Sequence, residues 1–300
     1  MGKIRLLVTT AIVAVGAGAL VAGNANASDV IISANSAAFG NGPIVTFDYT
    51  TGTQIGSFVP DGAAGEANGR GLAVTNNEFF YTELGGSGFN ATDFIHIAPF
   101  NNGNGGHDIG MFANPNPNTG IQDLAFGAAG LYALTGYPDG PSVIFLLNPT
   151  TGAVISSTPL QTSGSTDGFT VLNDGTFIAN LADGADTNLY QHFDASGNPI
   201  GSTFSVPGGF TSSTGVDIAP DGLSLYYATG FNSFTQTDLA NNLLSSISAP
   251  GNLFEDIGIQ QDFTPPPPGI PEPSTWAMIV AGFAGMGLLA RARRKVVAVA

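Results

Sequence analysis

The 300-residue chain contains no cysteine and only 7 lysine and arginine residues. Without cysteine it cannot form a disulfide, a thiolate nucleophile, a Cys-ligated zinc site or an iron–sulfur cluster. So few basic residues exclude general nucleic-acid binding, because neutralising phosphates requires clustered lysine and arginine. Charged residues are also scarce, at 10%, whereas hydrophobic residues make up 43% of the chain. This composition argues against disorder and predicts a folded protein with a sizeable core.

The few basic residues are concentrated at the two ends of the chain. Six of the seven lie within the first five or the last ten residues, and only Arg70 lies between residues 28 and 271. That stretch also contains 21 of the 22 acidic residues, which gives it a net charge of -20. The formal charge of -15 therefore averages an acidic body with two basic ends.

Residues 1–27 have the pattern of a secretory signal peptide. A positively charged start, Met1 to Arg5, precedes an apolar run that extends to Gly23. Small residues at Ala25 and Ala27 then form a signal-peptidase pattern, which predicts cleavage after Ala27. The alternative is a permanent membrane anchor.

The C-terminal region has two parts, a proline-rich spacer at residues 264–273 and an apolar segment with a basic tail at residues 274–300. The uncharged run from Ser274 to Ala290 contains 17 residues, the short end of the range for a membrane-spanning helix. Trp276 suits a membrane interface, and the basic cluster that follows the run predicts a cytoplasmic tail. The sequence therefore predicts a transmembrane helix here.

The same region resembles a PEP-CTERM sorting signal. It contains, in order, a Pro-Glu-Pro motif, a tryptophan, a glycine-rich apolar run and an arginine cluster: Pro271, Glu272, Pro273, Trp276, Arg291, Arg293 and Arg294. Ala292 interrupts the cluster and residues 296–300 extend beyond it. The resemblance implies a Gram-negative bacterium that makes exopolysaccharide, processing by an exosortase-type membrane enzyme, and delivery to the cell surface or extracellular matrix. It implies nothing about the activity of the body.

In the body, residues 28–263, short apolar runs separated by Gly, Asn, Asp and Pro predict short strands. An inner-strand signature recurs at intervals of 52, 45, 47 and 41 residues, beginning at Gly71, Asp123, Gly168, Gly215 and Asp256. This period is typical of four-stranded propeller blades, so we expect an all-β β-propeller. The body resembles NHL-like propellers at the level of the fold only. Turns such as Asp48 to Gly52 supply a side chain that bonds the turn backbone and a glycine that accepts positive φ.

The two ends of the body complement each other. Residues 30–59 hold three strands without an inner strand, and residues 256–263 hold an inner strand without its blade. Together they predict one blade assembled from both ends, which closes a ring of five. An open sandwich and an irregular six-bladed propeller are the alternatives.

Aligning the inner strands brings a set of charged residues to their beginnings: Arg70, Asp123, Asp167, Glu255 and Asp256. Because inner strands line the central channel of a propeller, these side chains are expected to meet at one mouth. Asp123, Asp167 and Asp256 could bind Ca²⁺, which takes oxygen ligands. Alternatively, paired carboxylates could cleave a glycosidic bond. A third interpretation is structural, with the acids bonding backbone groups or neutralising Arg70.

The histidines suggest no catalytic site. His96 and His192 fall in third strands, where we expect outward-facing, solvated side chains. His107 follows the Asn/Gly-rich run of residues 101–106, which weakly resembles a calcium-binding repeat but occurs once, so a long polar loop is expected.

Two functions remain open. The first is a non-enzymatic surface or matrix protein that binds glycans, divalent cations or other matrix components. The second is a secreted hydrolase acting on carbohydrate or lactone through the channel-mouth carboxylates. The expected partners are the exosortase-type enzyme, exopolysaccharide or matrix components, and the membrane before processing.

Overall fold

The computed structural model describes residues 31–36, 42–61, 70–82, 94–136, 141–162, 164–182, 188–230, 232–249 and 254–261. Within these residues there are twenty strands and no helix, and hence no helix able to span a membrane. The signal peptide, the spacer and the sorting segment predicted above lie outside these ranges.

The strands, in chain order, are β1 Ile31–Ser36, β2 Ile44–Asp48, β3 Thr53–Phe58, β4 Leu72–Thr75, β5 Glu78–Thr82, β6 Phe94–Pro99, β7 Gly110–Ala113, β8 Ile121–Gly127, β9 Gly130–Thr135, β10 Val143–Leu147, β11 Val154–Pro159, β12 Ser165–Val171, β13 Phe177–Ala182, β14 Tyr190–Phe193, β15 Pro199–Phe204, β16 Ser213–Ile218, β17 Ser224–Thr229, β18 Ser233–Asp238, β19 Leu243–Ser248 and β20 Phe254–Gln261.

These strands form four-stranded antiparallel units, which we call blades. Blade 3 (β8–β11), blade 4 (β12–β15) and blade 5 (β16–β19) are separate sheets. Blade 1 (β20, β1, β2, β3) and blade 2 (β4–β7) share one eight-stranded sheet. They are joined only where β20 runs parallel to β4, with Gln260 opposite Val74 and Gln261 opposite Thr75. The fold is therefore all-β and propeller-like.

Blade 1 is assembled from both ends of the body. Strand β20 pairs antiparallel with β1, placing Ile259 opposite Ile32 and Gly258 opposite Ser33. The predicted pairing of the last inner strand with the first strand is confirmed. The start of each signature falls in, or immediately before, an innermost strand.

The innermost strands contact one another in cyclic order, β4, β8, β12, β16, β20 and back to β4. Each of the five apolar clusters of buried residues lies between two neighbouring blades. For example, Phe80 of blade 2 packs edge-on against Phe126 of blade 3, with ring centroids 5.2 Å apart. Because both faces of each inner strand are covered in this way, these strands read as apolar runs rather than alternating ones.

The turn between the third and fourth strands has the predicted chemistry. In blade 1 the Oδ1 atom of Asp48 accepts the N–H of Thr50 at 2.8 Å, and Gly52 has a φ of 68°. Asn148 and Asp194 accept the corresponding bonds in blades 3 and 4. These side chains therefore stabilise their own turns by hydrogen bonds, as expected.

The same turns pack against the preceding blade. A Cβ atom on Gly197, in the turn of blade 4, would lie 2.1 Å from the Pro159 carbonyl oxygen of blade 3. In blade 2 the corresponding connection is the Asn/Gly-rich run, which lies against blade 1. A Cβ on its Gly105 would lie 2.3 Å from the Phe58 ring. The glycines of this run thus permit close packing.

Glycine also allows the inner strands to approach one another closely. A Cβ on Gly168 of β12 would lie 1.9 Å from the carbonyl oxygen of Thr214, on β16. The clash could not be relieved by a side-chain movement, because the Thr214 oxygen belongs to the backbone.

We therefore expect Gly168→Ala to lower the free energy of unfolding by about 3 kcal/mol, the upper range for overpacking a well-packed interior. Urea denaturation measures this difference. Gly110→Ala is the matched control, since its Cβ would meet nothing closer than Ile97 Cδ1 at 3.4 Å. Equal effects of the two substitutions would contradict close packing at the ring centre.

Candidate functional site

The predicted channel-mouth residues lie at or near the beginnings of the inner strands. Arg70 immediately precedes Gly71 and β4, Asp123 lies in β8, Asp167 in β12 and Asp256 in β20. Glu255 also belongs to β20, but its side chain lies outside the described part of the structure. The remaining four side chains include an ion pair and a pair of buried carboxyl groups.

The first pair is an ion pair between Arg70 and Asp167. Arg70 Nη1 lies 2.5 Å from Asp167 Oδ1, and the two side chains are 19% and 8% exposed. Arg70 belongs to blade 2 and Asp167 to blade 4, so the pair reaches past blade 3. The body's single arginine is thus partly buried and neutralised by a carboxylate from a non-adjacent blade.

The second pair, Asp123 and Asp256, is buried, with exposures of 1% and 2%. Asp123 accepts the backbone N–H of Leu124, next in its own strand, and that of Phe169 in the next blade, both at 2.6 Å. Asp256 likewise accepts the N–H groups of Ile257 and Leu72 at 2.8 Å. Each carboxylate therefore connects two neighbouring inner strands.

Asp217 makes a third bridge of the same kind. Its carboxylate accepts the N–H of Ile218 in its own strand and that of Ile259 in the next blade, both at 2.8 Å. Thr170 Oγ1 donates a further bond at 2.9 Å. The strand-opening pattern does not include Asp217, because this residue lies in the third position of its signature. A carboxylate between Val216 and Ile218 of the inner-strand signature was the available signal. We call Asp123, Asp217 and Asp256 the carboxylate bridges.

Burial and mutual repulsion set the protonation of these groups. Burial, followed by the nearby charge of Asp256, raises the pKa of Asp123 well above its ordinary value. Burial also raises the pKa of Asp256 well above its ordinary value, against a hydrogen bond from Asp123 that lowers it. Burial therefore favours the neutral form of both groups relative to the unfolded chain. Burial raises the pKa of Asp217 from 3.8 to about 7.

This geometry limits the chemistry available at the channel mouth. Both oxygens of each bridge accept backbone N–H groups, so few lone pairs are left for a cation or a substrate. Across the described ranges, no group of three or more His, Asp or Glu side chains could hold a metal ion. The hydrogen bonds and the ion pair correspond to the structural interpretation of these acids.

A second polar cluster lies between blades 1 and 2, and the sequence did not reveal it. Asp108 accepts a hydrogen bond from Tyr81 Oη at 2.5 Å, and its other oxygen lies 2.7 Å from His96 Nδ1. Asp61 bonds His107 Nδ1 at 2.7 Å and accepts the N–H of Asp108 at 3.2 Å. His107 and Asp108 are consecutive, but Asp61, Tyr81 and His96 precede His107 by between 11 and 46 residues, so no local motif could have indicated the whole cluster.

The cluster corrects the prediction for His96. Its side chain was expected to be solvated, but His96 is 8% exposed and stacks on Tyr81 with ring centroids 5.2 Å apart. The reason is that Asp108, from the following loop, reaches back over the strand. His192 is half-buried and bonds Thr176 Oγ1 through Nε2 at 2.8 Å. His107 is fully solvated in its loop, with its side chain 97% exposed.

A small pocket opens at the opposite ends of the inner strands. It has a volume of about 170 Å³ and is lined by residues that include Phe126, Val171, Ile218 and Gln261. A second pocket of about 150 Å³, between blades 2 and 3, shares Phe126 and includes the half-buried Glu78. The first is lined largely by apolar side chains, whereas the second is mixed, with Thr75, Asn77, Glu78 and Thr150 beside the aromatic rings.

No protein-family model and no curated protein matches this sequence. Among solved structures, the chain is similar to a mitotic checkpoint complex crystal structure, with 11% identity and a TM-score of 0.40. That match covers 74% of this chain and 61% of the other, so the chain spans about three fifths of its length. It is also similar to virginiamycin B lyase from Staphylococcus aureus, with 16% identity, a TM-score of 0.40, and coverage of 77% and 73%. Neither likeness informs on the activity of this chain.

The carboxylate bridges make the stability of the body depend on pH. Because the folded pKa of Asp217 is about 7 and its ordinary value is 3.8, the folded state holds a proton that the unfolded chain releases. Its contribution is complete below the ordinary pKa and is lost as pH rises through about 7. The raised pKa values of Asp123 and Asp256 also make the folded state less stable as the pH rises.

We therefore expect the melting temperature to fall between about pH 4 and pH 7 and to level off above that range. Asp217→Asn should flatten part of this slope, because the amide cannot ionise. Asp221→Asn, which changes an exposed turn carboxylate, is the control and should leave the slope unchanged. Thermal denaturation across this pH range measures both. A melting temperature that rises through the range would contradict the assignment.

Proposed function

We propose that this chain is an exported surface or extracellular-matrix protein of a Gram-negative bacterium, whose five-bladed propeller serves a non-enzymatic binding or structural role associated with exopolysaccharide. The observation that carries this proposal is the ordered set of sorting features at residues 271–295. The engagement of the central acids in structural bonds supports the non-enzymatic part.

The position of the two ends of the body is consistent with a tether. Strand β1 begins at Ile31, and β20 ends at Gln261. Because Ile32 lies opposite Ile259 in the antiparallel pair, the chain enters and leaves the body at neighbouring points. A single attachment there would leave the rest of the ring free to meet other matrix components.

The surface charge narrows the class of ligand. Two half-buried acids next to turns, Asp194 and Asp238, have a lowered pKa because neighbouring asparagine side chains and backbone N–H groups bond them. They stay ionised in weak acid, while the body's one arginine is paired. An acidic body of this kind favours neutral glycans or divalent cations over polyanions.

The alternative, a secreted hydrolase, depended on the channel-mouth carboxylates. A general acid or nucleophile must reach its substrate, whereas Asp123 and Asp256 are buried and bond backbone N–H groups. No other observation favours this function.

Deletion of residues 271–300 tests the sorting proposal. The shortened chain should appear as a soluble secreted or periplasmic product, because it lacks the motif, the apolar run and the arginine cluster. Cell fractionation and immunoblotting of the native host measure this. Deletion of residues 296–300 alone is the control and should leave surface delivery intact. Surface retention of the larger deletion would contradict the proposal.

Asparagine substitutions test the non-enzymatic role. Asp123→Asn and Asp256→Asn should each leave glycan binding unchanged and should lower the melting temperature, because an amide accepts on one oxygen only. Binding is measured on the purified chain with isolated exopolysaccharide. A loss of hydrolytic activity in either variant, with the fold retained, would instead support the hydrolase.

A further inference from the structure

The outer strand of each blade forms an open sheet edge among the described residues: β3, β7, β11, β15 and β19 each end their sheet. None of these strands contains a charged residue. They also hold seven of the 13 large hydrophobic residues that are exposed. This pattern is unusual, because proteins commonly place charges on edge strands to prevent edge-to-edge pairing.

Four of the five edges are obstructed by other features. The glycine-rich connection of blade 2 lies along β3, as described above. Strand β7 has only four residues, and the turn at Gly152 packs on its Phe112. Strand β15 begins with a proline and contains Gly201 at a φ of 67°. Strand β19 is held by the turn of blade 1, where Tyr49 Oη bonds Ser245 Oγ at 2.8 Å.

Strand β11 is the exception. The turn of blade 4 contacts it near its far end, where a Cβ on Gly197 would meet Pro159 and Thr158. From Val154 to Ser157 successive side chains are exposed on both faces of the strand, with Val154 at 50% and Ile155 at 57%. The segment is uncharged and combines β-branched and hydroxyl side chains, which suit cross-strand pairing.

The charge distribution indicates what covers this edge. In blades 4 and 5 the exposed acidic residues Asp174 and Asp221 and the half-buried Asp194 lie in turns, and the described part of blade 3 has no exposed acidic residue. Two copies of an acidic body repel one another when such turns meet. The uncharged edge is where a second copy can approach closely, and antiparallel pairing of identical strands gives a closed two-fold contact.

We propose that the β11 edge, Val154 to Ser157, is a self-association surface that pairs edge to edge with β11 of a second copy of this chain. The contact adds backbone hydrogen bonds between the blade 3 sheets of the two copies. The two sheets then form one continuous sheet. It does not depend on the export proposal, because it rests on the body alone.

Single cysteines test the pairing directly, since the chain has no cysteine of its own. Ser156→Cys or Ser157→Cys in the full chain should give a disulfide-linked dimer under mild oxidation, because mid-strand residues approach their own copies near the two-fold axis. Ala240→Cys, in an exposed turn of blade 5, is the matched control and should stay monomeric. Equal dimer yields from all three variants would overturn the proposal.

A charge substitution tests the energetics. Sedimentation of the full chain in detergent should show a concentration-dependent dimer between about 1 μM and 1 mM. Ile155→Lys should weaken it at least about tenfold, because the new charges face each other across the edge. Leu223→Lys adds the same charge at a turn residue that is 69% exposed, and should have little effect.

Two results would overturn the proposal. One is a wild-type chain that remains monomeric over the whole concentration range. The other is a chain in which Ile155→Lys reduces binding to exopolysaccharide while neither β11 cysteine gives a dimer, which would assign the edge to polysaccharide.

Discussion

The closure of the ring depends on strand β20, and β20 depends on buried carboxylates. It pairs with β4 over only two residues, too few to hold blades 1 and 2 together by strand pairing. Asp256 adds a bond from β20 to Leu72, and Asp217 adds one from β16 to Ile259. A buried backbone N–H without a partner is costly. The bridges thus satisfy groups that the short inner strands leave unpaired and fix the last strand between its two neighbours.

This use of the acids determines where function can lie. A buried carboxyl group that accepts two backbone N–H groups at the ring centre has few lone pairs left for a ligand. The centre is therefore occupied by bonds that maintain the fold, with Arg70 and Asp167 paired beside them. What the body offers to other molecules lies at its surface: the turns, the small pockets at the ends of the inner strands and the outer edges.

Local patterns predicted the parts of the fold that local chemistry determines. The period of the inner strands, the assembly of blade 1 from both ends and the turn at Asp48 follow from residues close together in sequence. Asp217 and His96 were misjudged because their partners, Ile259 and Asp108, come from other elements. The glycines of residues 101–106 suggested a polar loop, whereas their need for close contact with blade 1 became visible only once that blade was in place. Among the channel-mouth residues, alignment indicated which strands carried acids but not which backbone groups they would bond.

The positions of the acidic residues determine where two copies of the body can approach each other. Exposed Asp174 and half-buried Asp194 and Asp238 lie at turns, where hydrogen bonds lower their pKa. Burial instead raises the pKa of the carboxylate bridges. The outer strands contain no charged residue. When two copies of the body approach, their acidic turns repel each other, and backbone hydrogen bonds between copies can form only at a sheet edge. A body built in this way disfavours close contacts through its turns and leaves its uncharged edges for lateral contact.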